Sequence, residues 1–465
     1  MNRLARNLLA CVALLAGCAV KPDYQRPEME LPSAWKESPQ NPAKERGGNW
    51  WRVFSDPELE TLIEEALARN ANVQVAAARV DEARALLVQT DSALYPTVDA
   101  TFGRNRTLSS SATGLLPPSI SRERNDYLAS VGVSYEIDLW GRLRASSQAA
   151  RADLLASEAA RDAVRITLAA DVAKTWFALR ALDAQVVSTR RAVDLLEDGL
   201  RLQKKRFEGG VISEFDYRQL EGEAASTRAQ LPPLERDREV LEAALAVLLG
   251  RSPRAIMEQS VARAAEDSSA AFTPAVVPEG LPSELLLRRP DLVEAEQRLI
   301  AANARIAEAR AAMFPSIALT GYAGSEAQAL SALFTGPAGI GQLALGVAAT
   351  IFDAGRREAQ VDAARAREQQ LLAAYRGAIQ NAFREVRSAL AVQSRARESY
   401  DIESARAAAL ATSLRLAVLR YRNGLASQLE VLDAERNLLA AVNSRHEALR
   451  AQRAAVADLY KALGG

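Results

Sequence analysis

A duplication with a fixed spacing limits the folds open to this chain more than any other feature. Residues 206–221 read RFEGGVISEFDYRQLE and residues 420–436 read RYRNGLASQLEVLDAER. Gly210 and Gly424 match each other in these two segments, at a spacing of 424 − 210 = 214. A glycine that ends a helix in the left-handed conformation, followed within about three residues by a helix-capping serine, is typical of a sharp turn between two helices. We therefore predict two helical tips, one in each half of the chain.

Both tips also contain a signal for the start of the second helix. Ser213 and Ser427 occupy the cap position, and Asp216 and Glu430 follow three residues later. This spacing lets the serine and the acid satisfy free backbone N–H groups reciprocally, as in a capping box.

Long helices are predicted to lead into both tips. No helix breaker occurs from Gly141 to Phe207, and such a helix is about 100 Å long. Apolar residues recur every seven positions along it, which is coiled-coil spacing. These residues are Val172, Leu179, Val186, Val193, Leu200 and Phe207. Gly355 opens the matching helix of the second half and has the same spacing from Gly141 as the two tip glycines have from each other.

Shorter helices complete each half. The first half is predicted to begin with a helix over residues 57–94 and to end with one over residues 213–249, which Pro232 and Pro233 kink or break. A connector rich in Ser, Ala and Pro follows over residues 251–282, and a helix over residues 283–314 then starts the second half.

Four runs of alternating polarity predict strands, two in each half. They cover residues 97–104, 127–139, 316–324 and 342–352, and a long surface loop is expected over residues 108–126. A period of two indicates half-buried strands and is typical of membrane barrel strands. An alternative from the pattern alone is two soluble hairpins packed on helices.

The number of strands constrains how such a barrel can form. Four strands per chain cannot close a barrel, and an open sheet edge in lipid leaves backbone groups without partners. If the strands lie in a membrane, the chain must share its barrel with copies of itself, with apolar side chains toward lipid and polar ones toward the lumen.

The N-terminus has the features of an export signal. Residues 1–17 combine Arg3 and Arg6 with a short apolar run that ends at Leu15-Ala16-Gly17-Cys18. This ending resembles a bacterial lipobox and predicts cleavage before Cys18 and lipidation of that cysteine. The alternative is an ordinary signal peptide that happens to contain a cysteine. Residues 18–55, rich in proline and ending near Trp50-Trp51, are predicted to form a lipidated, extended tether that docks its aromatic end onto the body.

Composition argues against several other functions. The formal net charge is zero, which gives no basic surface for nucleic acid. His446 is the only histidine and both cysteines lie in the leader, so we expect no metal site, no cofactor and a structural role for His446, which aligns with Pro232 at the predicted kink. No catalytic motif stands out, and we expect no enzymatic activity.

Taken together, these motifs resemble the TolC-like outer membrane efflux factors, specifically the lipidated OprM/NodT-type branch of tripartite RND efflux systems. The resemblance covers essentially the whole mature chain, with residues 56–250 and 283–465 as its two repeats, and implies that residues 19–55, residues 251–282 and the region near Pro232 form an equatorial belt. It rests on the lipobox, Trp50-Trp51, Asp56-Pro57, the twin tips and Leu-Pro-Pro-Leu at residues 231–234.

The resemblance implies an α+β membrane duct. Its helices form an antiparallel coiled-coil barrel in the periplasm, continuous with a β-barrel of twelve strands made by a homotrimer in the outer membrane, four strands from each chain. It also implies a periplasmic adaptor and an inner membrane RND-type pump as partners, and passive passage of small molecules such as drugs. The alternatives are a duct for type I protein secretion and a coiled-coil scaffold lipoprotein without a pore.

The resemblance further assigns a periplasmic gate to the tips. Glu430 and Asp433 match acids that line the constriction, and three chains would stack them in two rings. The alternative from spacing alone is that both acids only stabilise a helix start. Tyr421 and Arg420 are expected to hold the closed state by bridging adjacent helices, and Asp216 is the first-repeat counterpart of Glu430.

The turns of both tips are expected to dock the adaptor; from the residues alone they are plain connectors. The docking residues implied by the resemblance are Gly209, Gly210, Val211, Ser213, Asn423, Gly424, Leu425 and Ser427.

Overall fold

The computed structural model describes residues 24–32, 49–110, 112, 121–258, 260–263 and 285–465. Cys18, the predicted signal peptide and parts of the predicted tether and connector lie outside these residues. Among the helices in the described part of the chain, none combines the length and apolar character needed to cross a membrane.

The helices follow the predicted duplication. In the first half they are α1 (Pro57–Arg69), α2 (Ala71–Ser92), α3 (Arg142–Glu208), α4 (Glu214–Arg228), α5 (Leu231–Leu248) and α6 (Pro253–Glu258). In the second half they are α7 (Leu285–Arg288), α8 (Pro290–Ala311), α9 (Arg356–Arg422) and α10 (Gln428–Leu463). The two long helices, α3 and α9, each contain 67 residues, which confirms the predicted rods.

Both long helices begin by the same local mechanism. Gly141 and Gly355 adopt left-handed φ angles of 84° and 83°. An aspartate just before each glycine accepts hydrogen bonds from the first free N–H groups of the helix: Asp138 from Leu143 N at 3.1 Å, and Asp353 from Arg357 N at 3.3 Å. An acceptor at a helix N-terminus satisfies groups that have no partner within the helix.

The first predicted helix is interrupted, so its prediction as one helix over residues 57–94 is wrong. Asn70 separates α1 from α2 and has the extended ψ of 132°. Its Nδ2 donates to the carbonyl of Leu248 at 2.9 Å, while its Oδ1 accepts from Asn72 N at 2.8 Å. The break therefore depends on a contact 178 residues away along the chain.

The double proline breaks the return helix of the first half, as predicted. The break precedes the prolines: α4 ends at Arg228, and Pro232 and Pro233 lie in the first turn of α5, where no backbone N–H is needed. In the second half α10 runs without interruption through His446. The break near Pro232 is therefore not repeated at His446, its counterpart in the second half.

The four strands form one antiparallel sheet in the order β1-β2-β3-β4. They are β1 (Thr97–Leu108), β2 (Glu123–Glu136), β3 (Ser316–Ala327) and β4 (Gly339–Ala348). Strands β2 and β3 join the two predicted hairpins into one sheet, a pairing that the sequence analysis did not include. Strands β1 and β4 are the edges.

Several strand limits differ from those predicted. β1 and β3 are longer, and β1 and β2 extend into the expected loop, where Arg106 pairs with Glu123 at 2.6 Å. β4 ends at Ala348, so Ala349 and Ile351 lie beyond it. The reason is that β3 begins at Ser316, which lies opposite Ala348. The residues after Ala348 therefore have no neighbouring strand in the described chain.

The register collects apolar side chains on one face of the sheet. Val98 lies opposite Val133, Val131 opposite Ala323, and Leu319 opposite Leu345. Residues directly opposite each other in an antiparallel pair share a face. The other face has Thr97 opposite Ser134 and Ser134 opposite Thr320. The predicted separation of apolar and polar faces is confirmed.

The chain divides into two compact units. The first includes residues 79–157 and 294–376 and contains the sheet. Within it, Trp140 stacks on Phe314 at 4.8 Å, and Arg26 of the N-terminal segment forms a salt bridge with Glu296 at 2.7 Å.

The second unit includes residues 49–78, 158–258, 285–293 and 377–465 among those described. Its core contains the aromatic residues that end the predicted tether: Trp50 and Trp51 are 6% and 5% exposed. Trp176 is fully buried and its Nε1 donates to Asp56 at 2.8 Å, so it is a packing anchor.

Candidate functional site

The two predicted tips lie in the second unit and turn on the same pattern of backbone hydrogen bonds. In the first tip, Val211 N donates to the carbonyl of Arg206 at 2.8 Å. In the second tip, Leu425 N donates to the carbonyl of Arg420 at 2.9 Å. This six-to-one bond closes a helix over a left-handed residue. The residues in that conformation are Gly210, with φ 68°, and Gly424, with φ 70°.

The serines cap the next helices, as predicted, but the acids differ in geometry. Ser427 and Glu430 form the complete reciprocal capping box. In the first tip Ser213 Oγ accepts from Asp216 N at 3.2 Å and itself donates to the Asp216 carboxylate at 2.7 Å. Asp216 and Glu430 therefore both stabilise helix starts, whatever further role they have.

Gln203 connects the long helix of the first repeat to the second tip. Its side chain is 5% exposed in the chain, and its Nε2 donates to Tyr421 Oη at 3.1 Å and to Gln428 Oε1 at 3.0 Å. Tyr421 of α9 is thus hydrogen-bonded to α3. Sequence analysis missed Gln203, because a single glutamine within a long helix carries no signal of its partner.

The two predicted gate acids of the second tip, Glu430 and Asp433, lie beside cations of their own chain. Arg420 donates to the carbonyl of Leu425 at 3.3 Å and lies 3.8 Å from the Glu430 carboxylate. Asp433 pairs with Arg436 at 2.6 Å. The side chains of Glu430 and Asp433 are 49% and 53% exposed, so both acids remain accessible to solvent.

Each tip also exposes two apolar side chains, four residues apart. Val211 and Phe215 are 66% and 74% exposed, and Leu425 and Leu429 are 70% and 55% exposed. The second pair repeats the first at the spacing of the tip glycines. Phe215 and Leu429 were missed, although their spacing and repetition are visible in the sequence.

An apolar cavity of about 250 Å³ lies among α3, α4, α9 and α10. Leucine is the commonest residue in its wall, and Glu223 and Glu435 also line it. Burial raises the pKa of the Glu435 carboxyl, and the charge of Glu223 raises it further. No local pattern in the sequence marks Glu223 and Glu435 as a pair.

The described residues contain no group of three or more His, Cys, Asp or Glu side chains able to hold a metal ion. His446 is half-buried within α10. The candidate site thus comprises the two helix tips, the ion pairs beside them, and the exposed apolar side chains.

Comparison with known proteins shows the class to which this geometry corresponds. The family model described as outer membrane efflux protein matches residues 62–251 and 281–465, one match in each repeat. The chain belongs to the outer membrane efflux protein family. The predicted TolC-like relationship is confirmed.

Individual members of the family are similar over nearly the whole chain. The cation efflux system protein CusC of Escherichia coli is 35% identical over 98% of this chain and 98% of its own length. The probable efflux pump outer membrane protein TtgC of Pseudomonas putida is 34% identical over 100% of this chain and 96% of its own. The open-state crystal structure of the MtrE outer membrane channel of Neisseria gonorrhoeae matches with a TM-score of 0.83 and 33% identity, over 96% of this chain and 98% of that one.

The family establishes the general role. The protein is an outer membrane efflux channel that extends into the periplasm and is not an enzyme. The fold has the long helices, four strands and two repeats of this family. The alternative of a scaffold without a pore is wrong.

Proposed function

We propose that three copies of this chain form the exit duct of a tripartite efflux system, together with a periplasmic adaptor and an inner membrane RND-type pump. The observation that carries the proposal is the four-stranded sheet, which has one apolar face and two edges that pair with no other strand of the described chain. Within lipid such edges leave backbone groups unsatisfied at several kcal/mol each. Three copies of four strands close a barrel of twelve, and small molecules cross its polar lumen passively.

Lipidation at Cys18 anchors the protein to the outer membrane in this proposal. The lipobox-like ending supports it, as does the similarity to SilC of Salmonella typhimurium, which is described as a probable outer membrane lipoprotein and is 33% identical. Acyl chains contribute about 0.8 kcal/mol per buried CH₂, which anchors a protein without making it span.

The tips form the periplasmic gate and the docking surface for the adaptor. Glu430 and Asp433 of three chains make two acidic rings that favour cations. Tyr421, through Gln203, and Arg420, through Leu425 and Glu430, hold the tips closed. The exposed apolar pairs, Val211 with Phe215 and Leu425 with Leu429, provide surface for the adaptor, since interfaces bury apolar anchors in their centre.

Conductance in planar bilayers tests the gate. The double variant Tyr421→Phe with Arg420→Ser removes one of the two acceptors of Gln203, a hydrogen bond worth about 1 kcal/mol, and the bonds of Arg420. We therefore expect higher conductance than in the unmodified trimer. Arg395→Ser is the matched control, because Arg395 pairs with Glu398 in an exposed part of α9. Unchanged conductance in the double variant contradicts the proposed latch.

Drug and metal sensitivity of a deletion strain tests the efflux role. We expect the strain to become sensitive to small molecules and to recover with the intact gene. Loss of a secreted protein without a change in sensitivity would favour the duct for protein secretion instead.

A further inference from the structure

The two hairpins of the sheet repeat each other in register. In the first hairpin Thr97 lies opposite Ser134, and in the second Ser316 lies opposite Ala348. β3 therefore corresponds to β1 at a spacing of 316 − 97 = 219, and β4 corresponds to β2 at a spacing of 348 − 134 = 214. The same two spacings relate every matched pair in the two hairpins.

The chain also contains one joint between hairpins, the pairing of β2 with β3. Here Ser134 lies opposite Thr320. In a closed barrel of repeated hairpins, β4 of one copy meets β1 of the next in an equivalent joint. At a spacing of 214 the counterpart of Ser134 is Ala348 (134 + 214 = 348), and at a spacing of 219 the counterpart of Thr320 is Thr101 (320 − 219 = 101).

We propose that β4 pairs antiparallel with β1 of a second copy of this chain, with Ala348 opposite the partner's Thr101. This inference rests on the proposed trimer and adds the register that the trimer uses. The joint completes the pore, because the sheet of one chain is only part of a barrel wall.

The faces of the sheet agree with this register. Val347 falls opposite the partner's Phe102, so that both lie on the apolar face, while Ala348 and the partner's Thr101 lie on the polar face. A slip of one residue moves every side chain of a strand to the other face. Val347 and Phe102 are 66% and 69% exposed in the single chain, as expected for side chains that meet lipid.

The end of β4 provides a second indication. Beyond β2, Ile137 N still donates to the carbonyl of Ile317 at 2.8 Å. The corresponding pair in the joint between copies is Ile351 and the partner's Val98. Ile351 is 93% exposed in the single chain, whereas Ile137 is 38% exposed. Pairing with a second copy would extend β4 past Ala348 and cover Ile351.

The joint between copies lacks contacts that strengthen the joint within the chain. Trp140 stacks on Phe314, and its Nε1 donates to the carbonyl of Pro315 at 2.7 Å. The counterparts of Trp140 and Phe314 are Ala354 and Tyr95, and alanine provides neither ring nor donor. The joint between copies therefore has neither this ring stacking nor this hydrogen bond.

One position marks where the two joints must differ in shape. A Cβ at Gly324 would lie 2.2 Å from the carbonyl oxygen of Ala129, so β2 and β3 approach closely there. The counterpart of Gly324 in β1 is Asn105, which has a Cβ. β4 and the partner's β1 must therefore be further apart at Asn105 than β2 and β3 are at Gly324. Thr101 lies nearer the start of β1, away from this point.

Disulfide scanning tests the register. Thr101→Cys is combined in turn with Ala344→Cys, Gly346→Cys, Ala348→Cys and Thr350→Cys, all on the polar face, in the full-length protein purified in detergent. Oxidised samples are separated on non-reducing gels, and the mass of each reduced sample is measured in detergent. Thr101→Cys alone and Ala348→Cys alone are the controls.

Geometry predicts one productive pair. The bond from Ile137 N to the Ile317 carbonyl marks a hydrogen-bonded pair, so by alternation Ser134 and Thr320 form a non-hydrogen-bonded pair, with Cα atoms about 4.5 Å apart. A disulfide spans Cα distances of about 4.4–6.8 Å, and pairs displaced by two residues are about 7–8 Å apart. Within one chain the two edges are three strand spacings apart, about 14 Å, so any disulfide joins different copies.

We expect a covalent trimer with Ala348→Cys and its loss with the other three partners. A trimeric mass with cross-linking at another position, or with none, overturns the register and leaves the proposed trimer standing. A monomeric mass in every sample, including the unmodified protein, overturns the proposed function itself.

Discussion

The two repeats break the helix before their strands in the same place but with different chemistry. In the first repeat Asn70 donates to the carbonyl of Leu248 at 2.9 Å. In the second repeat Arg289, between α7 and α8, donates to the carbonyl of Ala462 at 3.0 Å. Leu248 and Ala462 have the same spacing as the two tip glycines, so the acceptor is the same position of the repeat. Both donors satisfy a carbonyl near the end of a helix, where carbonyls lack partners within the helix.

The donors differ in what surrounds them. Arg289 is 7% exposed and also pairs with Asp291 at 2.7 Å and with Glu385 at 2.8 Å. Asn70 is 5% exposed and makes its bonds without any charge. The acceptor is thus the same backbone carbonyl in both repeats. The donor can be either a neutral amide, as in Asn70, or a guanidinium whose charge is balanced by carboxylates, as in Arg289.

Replacing each donor by alanine should give the largest loss of stability and should show how much the charge of Arg289 contributes. Arg289→Ala leaves a buried carbonyl without a donor and removes the cation from two carboxylates that are each 43% exposed, so we expect a loss of about 2–4 kcal/mol in the free energy of unfolding. Asn70→Ala leaves only neutral groups unsatisfied, and we expect about 1–3 kcal/mol. Urea unfolding followed by circular dichroism measures both.

Arg298→Ala is the control for this pair of variants. Arg298 forms a surface ion pair with Glu294, and such pairs contribute about 0–1 kcal/mol. Equal losses for Asn70→Ala and Arg289→Ala would mean that the charge of Arg289 adds nothing to the common hydrogen bond.

The glycines that follow these acceptors allow a finer comparison. Gly250 and Gly464 have left-handed φ angles of 69° and 97°. An added Cβ would lie 2.4 Å from the carbonyl oxygen of Arg69 in the first case and 2.9 Å from that of Arg288 in the second. Alanine at either site costs about 1–2 kcal/mol for the conformation alone. We expect Gly250→Ala to lower the urea midpoint more than Gly464→Ala, because its contact is closer.

Gly377→Ala is the opposite control. Gly377 lies within α9, and a Cβ added there would have nothing within 4 Å. Alanine in a helix interior is favoured by roughly 0.5–1 kcal/mol, so this variant should be slightly more stable. A larger loss for Gly464→Ala than for Gly250→Ala would contradict the explanation from close approach.

The sequence predicted those parts of the fold that local chemistry decides. The long helices and the two tips depend on glycines, serine caps and apolar spacing within a few residues, and they appear as predicted. The break at Asn70 was missed because it depends on a carbonyl 178 residues away. In α10 the counterpart of Pro232 is His446, which has a backbone N–H and lets the helix continue.

In the candidate site, too, the sequence predicted the local contacts and not those between residues far apart along the chain. The capping roles of Ser213 and Ser427 follow from neighbours in the sequence, whereas the bond from Gln203 to Tyr421 joins residues 218 positions apart and leaves no local pattern. Phe215 and Leu429 lie between these cases, since their repetition could have been noticed. The roles assigned to Glu430 and Asp433 remain predictions.

The smallest expected effect concerns two glutamates at equivalent positions of the repeats. Glu435 lies in the wall of the apolar cavity, where burial and then the charge of Glu223 raise its pKa. Its counterpart in the first repeat, Glu221, pairs with Arg218 at 2.8 Å, and its side chain is 44% exposed. We expect Glu435→Gln to stabilise the protein at neutral pH and Glu221→Gln to leave it unchanged or slightly weaker.

The sign follows from proton binding. An unfolded glutamate has a pKa of about 4.3. Because Glu435 has a higher pKa when folded, the folded state holds its proton longer, and stability falls as the pH rises from that of the unfolded group through that of the folded one. Glu435→Gln removes this fall, so its urea midpoint should match that of the unmodified protein near pH 4 and exceed it at pH 8. The effect is small because the side chain is partly exposed and water screens the repulsion. An advantage of the same size for Glu221→Gln at pH 8 would assign the gain to general surface charge instead of to the cavity.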